Sequence, residues 1–418
     1  MKFVVSKQVS LLDEDINITA TGLPAGRTIR IVLTCFHTSG NYESWARFKV
    51  APDGKIDFSR DAPIDGTYWG IDPMGLFSST SPALNSRLGG VMSFFNVEDY
   101  LLPYQLVAYG GREVLGQITI FKRILDLSVE RIEVNEGNLR GVLFKPKDNK
   151  RHIAVIDMCG LGGKCKEHRA ALLAKQGFAV LALALYDYKD RPKRLNDIDL
   201  SYVKEAIDWI TSRPFTSDKA VLLGQSFGGY VCYLAAMSYH DKIASIVTIS
   251  APTFTASGIT ILENGKRRPN IFELSPTQEG NRKYIRNKII NISMWNQISD
   301  AELEPYRIPL EEIPEDVSFL IIAGEQDDAM PSARWSKTLE GRLRISKRRR
   351  VETVYLKHSG HMLEPPHVPH HDTVFNAPGY WAQGGDQYLQ CVDQRKLWPK
   401  IQKFIRSTVD LSDNKAKL

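Results

Sequence analysis

The chain has 418 residues, 43% hydrophobic and 24% charged, with a formal net charge of +6. That length is too great for one ordinary core and calls for a second domain. The mild basic excess, with no helix of interleaved basic and aromatic residues, argues against a nucleic-acid binder. No run of about eighteen apolar residues occurs, so no membrane span is expected, and MKFVVSKQVS lacks a signal-peptide core, which points to an intracellular protein.

In chain order, the first segments are short and alternating: RTIRIVLTCF, SWARFKV, GKIDFS, YQLVAYGG and VLGQITIFKR. They predict an all-β sandwich over residues 1–136, with Asp53-Gly54 as a hairpin signal. Over 137–418 the pattern changes to buried apolar runs alternating with helical stretches. HIAVIDM, FAVLALAL, AVLLG, KIASIVTIS, VSFLIIAG and VETVYLK read as strands; KEHRAALLAKQ, SYVKEAIDWITS and RKLWPKIQKFIRSTV read as helices. This predicts a mostly parallel sheet with helices on both faces. Between Pro252 and Pro314 a polar segment with no strong strand interrupts the series. It is expected either as a lid or acyl-pocket wall over the carboxyl ends of the strands or as a surface excursion unconnected with substrate.

The run VLLGQSFGGY from Val221 to Tyr230 is an apolar strand entering Gly-X-Ser-X-Gly and then a helix read as amphipathic through Tyr230, Leu234, Ala235 and Ser238. A strained strand-to-helix turn needs small residues beside the serine, so the pattern predicts a nucleophile elbow with Ser226 at its tip. A serine hydroxyl needs a base, and the base a carboxylate, in the chain order Ser, acid, His. VSFLIIAG ends in Gly324-Glu325-Gln326-Asp327-Asp328, and the Gly-X-X-Asp spacing favours Asp327 over Asp328 and Glu325. VETVYLK leads to His358-Ser359-Gly360-His361; the small Ser359-Gly360 pair is expected to give the loop the freedom that brings His361, rather than His358, to the serine. Oxyanion donors are expected at the N–H of Phe227 and, from the glycine-rich loop after HIAVIDM, at Leu161 or Gly162.

Rival chemistries are weaker. Cys35, Cys159, Cys165, Cys232 and Cys391 are odd in number and scattered, which predicts free thiols. Cys159 and Cys165 lie near the glycine-rich loop but have no elbow of their own. His367, His370 and His371 share a proline-bearing loop without a helical His pair, so metal is not expected. The basic run Arg342 to Arg350 reads as a solvated helix end, with phosphate binding or nuclear import as the minority reading. The terminal Ala416-Lys417-Leu418 is a close variant of the Ser-Lys-Leu address, and so implies a peroxisomal import receptor as partner.

Several stretches carry a resemblance. LPAGRTIRI, ARFKVAPDGKIDFSRDAPIDGTYWGIDPMGLFSS, GNLRGVLFKPK, VIDMCGLGGKCKEHRAALLAKQGFAVLALALYDYKD, the elbow, GHMLEPPHVP and GYWAQGGD together span nearly the whole chain. On them the sequence resembles the acyl-CoA thioesterase and bile acid-CoA:amino acid N-acyltransferase family. The resemblance implies an α/β-hydrolase domain behind the sandwich, an acyl-CoA substrate and no metal or organic cofactor. It lays the nucleophile, acid and histidine on Ser226, Asp327 and His361. Members commonly carry Lys after the nucleophile, where this chain has Phe227.

The transferases typically use cysteine, so Ser226 favours hydrolysis of fatty acyl-CoA. The alternatives are glycine or taurine N-acyltransfer, a carboxylesterase unrelated to CoA, and a catalytically silent binding protein. Fatty acyl-CoA turnover would suit a peroxisomal address, with the cytoplasm as the other location.

Overall fold

The computed structural model describes residues 1–273, 281–345, 350–376 and 379–411. The Ala416-Lys417-Leu418 address and part of the Arg342–Arg350 run therefore lie outside the described residues.

The N-terminal part is β-rich. One sheet joins Val9–Leu11, Glu113–Arg123, Leu101–Gly110, Thr28–His37, Gly40–Lys49 and Asp65–Gly66, with Ser81–Pro82 also on Gly40–Lys49. A smaller sheet holds Lys2–Val5, Ile18–Thr21 and Ile56–Asp57. Alternating residues of the long strands, such as Ile29, Ile31, Leu33 and Cys35, bury one face, as period-2 patterning requires.

The hairpin expected at Asp53-Gly54 does not form between paired strands. Gly54 does turn the chain, at φ +73°, but Gly40–Lys49 is already paired on both edges, so the chain crosses to Ile18–Thr21 in the other sheet. The real hairpin is Thr28–His37 with Gly40–Lys49, closed by Thr38-Ser39.

The second sheet has eight strands: Val129–Glu136, Leu139–Pro146, His152–Met158, Phe178–Leu183, Thr216–Gln225, Ile243–Ile249, Ser318–Gly324 and Val351–Leu356. In chain order they lie 1-2-4-3-5-6-7-8 across the sheet, parallel after the first two. The division expected at 136/137 falls inside the hairpin of its first two strands, and Val129–Glu136 is part of this sheet.

Alternate strand residues go to opposite faces. Val155, Val221, Leu223, Val247 and Leu320 pack with helices His168–Lys175 and Leu389–Thr408. Ala154, Ile156, Leu222, Ile246 and Ile321 pack with Ser201–Thr211 and Phe227–Tyr239. Burial on both faces explains why these strands read as continuous apolar runs.

Two expectations are corrected. The elbow helix is enclosed, not amphipathic, since Phe227 through Ala236 are all buried. The segment after Pro252 contains a strand pair, Arg282–Ile285 with Lys288–Asn291, completed by Thr373–Asn376 and Gly379–Ala382 into a separate sheet. Arg286 and Asn287 at φ +48° and +60° form the turn, in the left-handed geometry that two-residue hairpins favour. Phe254, Ile298 and Leu303 of the segment form a small core with Trp335 of helix Ser332–Leu343.

Candidate active site

Strand Thr216–Gln225 delivers Ser226 at the carboxyl edge of the sheet, at φ +53° and ψ −120°. A non-glycine residue held there costs of order 1–3 kcal/mol, a strain typical of functional turns. Both flanking backbone groups are held: the Ser226 N–H donates to the Ile249 carbonyl at 2.7 Å, and its carbonyl accepts from Tyr230 N–H at 3.1 Å.

The glycines are required by contact. A Cβ at Gly224 would lie 2.4 Å from Gly228, and one at Gly228 would lie 2.2 Å from the Met158 carbonyl oxygen. Gly228→Ala is accordingly expected to destabilise the protein by at least about 2 kcal/mol, read as a lower denaturation midpoint. An unchanged midpoint would mean that the elbow can relax.

The candidate acid has a full set of partners. Asp327 Oδ2 accepts from His361 Nδ1 at 2.9 Å and from Ser332 Oγ at 2.6 Å, while Oδ1 accepts from the N–H of Ala329 and Met330 at 2.9 and 3.0 Å. Its rivals turn away, Asp328 to Lys283 at 2.6 Å and Glu325 to Lys337 at 3.2 Å.

With Nδ1–H donated to a carboxylate, the imidazole of His361 keeps a lone pair on Nε2. Its main chain is also anchored: N–H to the Gln383 carbonyl at 2.8 Å and carbonyl from Gln225 Nε2 at 3.4 Å, which ties it to the residue before the elbow serine. His358 serves the loop backbone, its N–H donating to Asp393 at 3.2 Å. The Ser359-Gly360 pair is not a loose joint. Ser359 is buried, and a Cβ at Gly360 would lie 2.3 Å from the Gln383 carbonyl oxygen, so close approach explains the glycine.

Ser226 Oγ and His361 Nε2 are not hydrogen-bonded to each other or to any other described residue, and both residues are only 6% exposed. Before substrate binds, such contacts are often long.

Phe227 begins the elbow helix, where backbone N–H groups have no intrahelical acceptor. In the facing loop the Gly162 N–H is committed to the Tyr186 hydroxyl at 2.8 Å, so of the two residues expected there only Leu161 is uncommitted. The loop approaches the serine at Gly160, where an added Cβ would lie 3.1 Å from Ser226 Cβ. Burial raises the thiol pKa of both Cys159 and Cys165, which disfavours them as nucleophiles.

His367 is held by Asp15 at 3.0 Å, and His370 and His371 are buried, with burial pushing His371 down to about 3. Among the described residues no three His, Cys, Asp or Glu side chains are grouped to hold a metal. Within the basic run, Arg342, Arg344 and Arg350 pair with Glu311, Glu340 and Glu352.

Supporting residues escaped the sequence reading. Arg169 pairs with Asp157 beneath the site and approaches Gln225 Oε1 at 3.5 Å. Glu364, two residues past Met362 in GHMLEPP, meets His168 at 2.8 Å. Burial works to raise Glu364, but His168 outweighs it and brings the carboxyl from 4.5 to about 2. A depressed folded-state pKa gives stability that is complete above pH 4.5 and lost as pH falls towards about 2. Thermal denaturation should therefore decline through that window, and less steeply in Glu364→Gln; equal slopes would refute the coupling.

A serine at a strained elbow and an Asp–His pair at the same sheet edge, on this strand order, define an α/β-hydrolase preceded by a β-rich domain. Residues 198–410 match the BAAT / acyl-CoA thioester hydrolase C-terminal model and 13–136 the acyl-CoA thioester hydrolase/BAAT N-terminal region. The chain belongs to the acyl-CoA thioester hydrolase and bile acid-CoA:amino acid N-acyltransferase family. It is 26% identical to mouse acyl-coenzyme A amino acid N-acyltransferase 1, covering 99% of each chain. It is 27% identical to human acyl-coenzyme A thioesterase 1, covering 94% of this chain and 93% of the relative. It is 28% identical to human bile acid-CoA:amino acid N-acyltransferase, covering 95% of each. Its relatives thus include both hydrolases and transferases. Among the described residues no helix is long and apolar enough to cross a membrane.

Proposed function

We propose that the chain is a fatty acyl-CoA thioesterase working through an acyl-serine intermediate on Ser226. The observation that carries the reading is the strained Ser226 elbow with the Asp327–His361 pair at the same sheet edge. His361 Nε2 takes the Oγ proton as Oγ bonds the thioester carbon. The N–H groups of Phe227 and Leu161 receive the oxyanion, the C–S bond breaks, and the CoA sulfur, whose thiol pKa is about 8.5, leaves with the proton that His361 holds. Water, giving its proton to the freed His361, then attacks the ester, and His361 returns that proton to Ser226 Oγ as the fatty acid departs.

Serine is what selects hydrolysis, because an acyl-serine ester is less open to amines than an acyl-thioester. The relatives named as N-acyltransferases support glycine or taurine conjugation as the second reading. The test is a panel of acyl-CoAs with glycine and taurine present, with products identified by mass spectrometry. Free fatty acid is expected; acyl-glycine or acyl-taurine as the main product would make the chain a transferase.

Peroxisomal import through Ala416-Lys417-Leu418 belongs to the same reading. Removing those residues is expected to leave the protein in the cytoplasm, and unchanged peroxisomal staining would refute the address.

A further inference from the structure

The backbone on both sides of His361 is gripped by one buried amide from the last helix. Gln390, 3% exposed near the start of Leu389–Thr408, accepts from the Gly360 N–H through Oε1 at 2.8 Å and donates through Nε2 to the Met362 carbonyl at 2.8 Å. The amide orientation is fixed by its partners, since a backbone N–H can only donate and a carbonyl only accept.

We infer that Gln390 is a positioning residue for His361, holding the main chain before and after it so that the imidazole stays on Asp327 with Nε2 free to reach the Ser226 hydroxyl when substrate binds. This rests on the reading of His361 as the base.

Everything around Gln390 is built to keep it still. Gly385, at φ +89°, leaves it room, for a Cβ there would lie 2.0 Å from Gln390 Oε1. The helix start is tied down by Asp386, whose Oδ1 accepts from Tyr388 and Leu389 N–H at 3.0 and 2.8 Å and whose N–H donates to the His358 carbonyl at 2.9 Å. One turn on, Asp393 takes the His358 N–H and Ser359 Oγ at 3.2 and 3.1 Å.

The same helix is anchored on the N-terminal domain through Asp72, which accepts from Tyr388 Oη at 2.9 Å and Arg395 at 2.7 Å. Asp72 belongs to DAPIDGTYWGIDPMGL, one of the stretches that carry the family resemblance. The N-terminal domain thereby braces the helix that holds the base.

In Gln390→Leu both backbone groups lose their partner while side-chain volume is kept. A base displaced by a fraction of an ångström slows chemistry without altering substrate binding. The expected result is a fall in kcat of about 10²-fold with KM within about twofold, and an equal slowing of Ser226 labelling by a fluorophosphonate. Gln390→Glu, which keeps the acceptor for Gly360 and faces Met362 with a second acceptor, should fall between the two; it carries the comparison if Gln390→Leu does not fold. Gln402→Leu, buried on the same helix away from the loop, is the packing control and should keep native kcat.

Native kcat and labelling in folded Gln390→Leu, or an equal loss in Gln402→Leu, would overturn the inference. If the native protein labels at Ser226 but releases no fatty acid from acyl-CoA, the functional reading fails, and the labelling rates still decide the role of Gln390. If native Ser226 does not label, the base assignment falls and this inference falls with it.

Discussion

Ser226→Ala should lower kcat for acyl-CoA hydrolysis by at least about 10⁴-fold, with the fold intact. The loss is large because the hydroxyl is the only atom proposed to bond the acyl carbon, and because in that mechanism the elbow presents it and His361 takes its proton. Alanine should be tolerated structurally, since the backbone bonds of residue 226 to Ile249 and Tyr230 do not involve the side chain. A short-fall to about tenfold would indicate direct attack by water and remove the covalent intermediate. Circular dichroism and thermal denaturation check the fold, and single-turnover kinetics read the loss. Ser226→Cys probes the choice between water and amines: a thioester at this position should raise the share of glycine or taurine conjugate relative to free acid.

Asp327→Asn should cost a comparable factor, about 10⁴ in kcat, for a different reason. In the proposed mechanism the carboxylate, 2.9 Å from His361 Nδ1, keeps the proton on that nitrogen and stabilises the imidazolium that forms when Nε2 takes the serine proton. An amide at 327 still accepts from Ala329 and Met330 through one oxygen, so the turn survives. It can present N–H to the imidazole, however, which selects the tautomer with Nε2 already protonated. Asp328→Asn is the matched comparison. That carboxylate is spent on Lys283, so kcat should stay within a few fold of native. A larger loss at Asp328 than at Asp327 would reverse the assignment.

The parts of the site set by local chemistry could be read directly. Gly224, Ser226 and Gly228 announce the elbow because no Cβ fits beside that turn, and the apolar run from Val221 shows the strand that feeds it. Asp327 lies three residues past Ser318–Gly324 and His361 five residues past Val351–Leu356, and these strands are neighbours, so both candidates come to one sheet edge.

What escaped depends on partners far away in sequence. Nothing near Gly162 reveals that its N–H is taken by Tyr186, nor can Asp53-Gly54 show that both edges of the preceding strand are occupied. The strand pair Arg282–Ile285 with Lys288–Asn291 lies in a charged stretch, and only its pairing with Gly379–Ala382 gives it a sheet to join. Gln390 is the clearest case: an isolated glutamine on a helix looks like a surface residue until the loop bearing His361 is laid against it.

The covalent step is the centre of the account, and it can be observed. The native protein is mixed with a long-chain acyl-CoA, quenched in acid within a single turnover, digested, and the acylated peptide sequenced by mass spectrometry. An acyl group bonded through oxygen to Ser226, absent in Ser226→Ala, is the predicted result. An acyl group on the sulfur of Cys159, or continued turnover in Ser226→Ala with no acyl-enzyme at all, would contradict it.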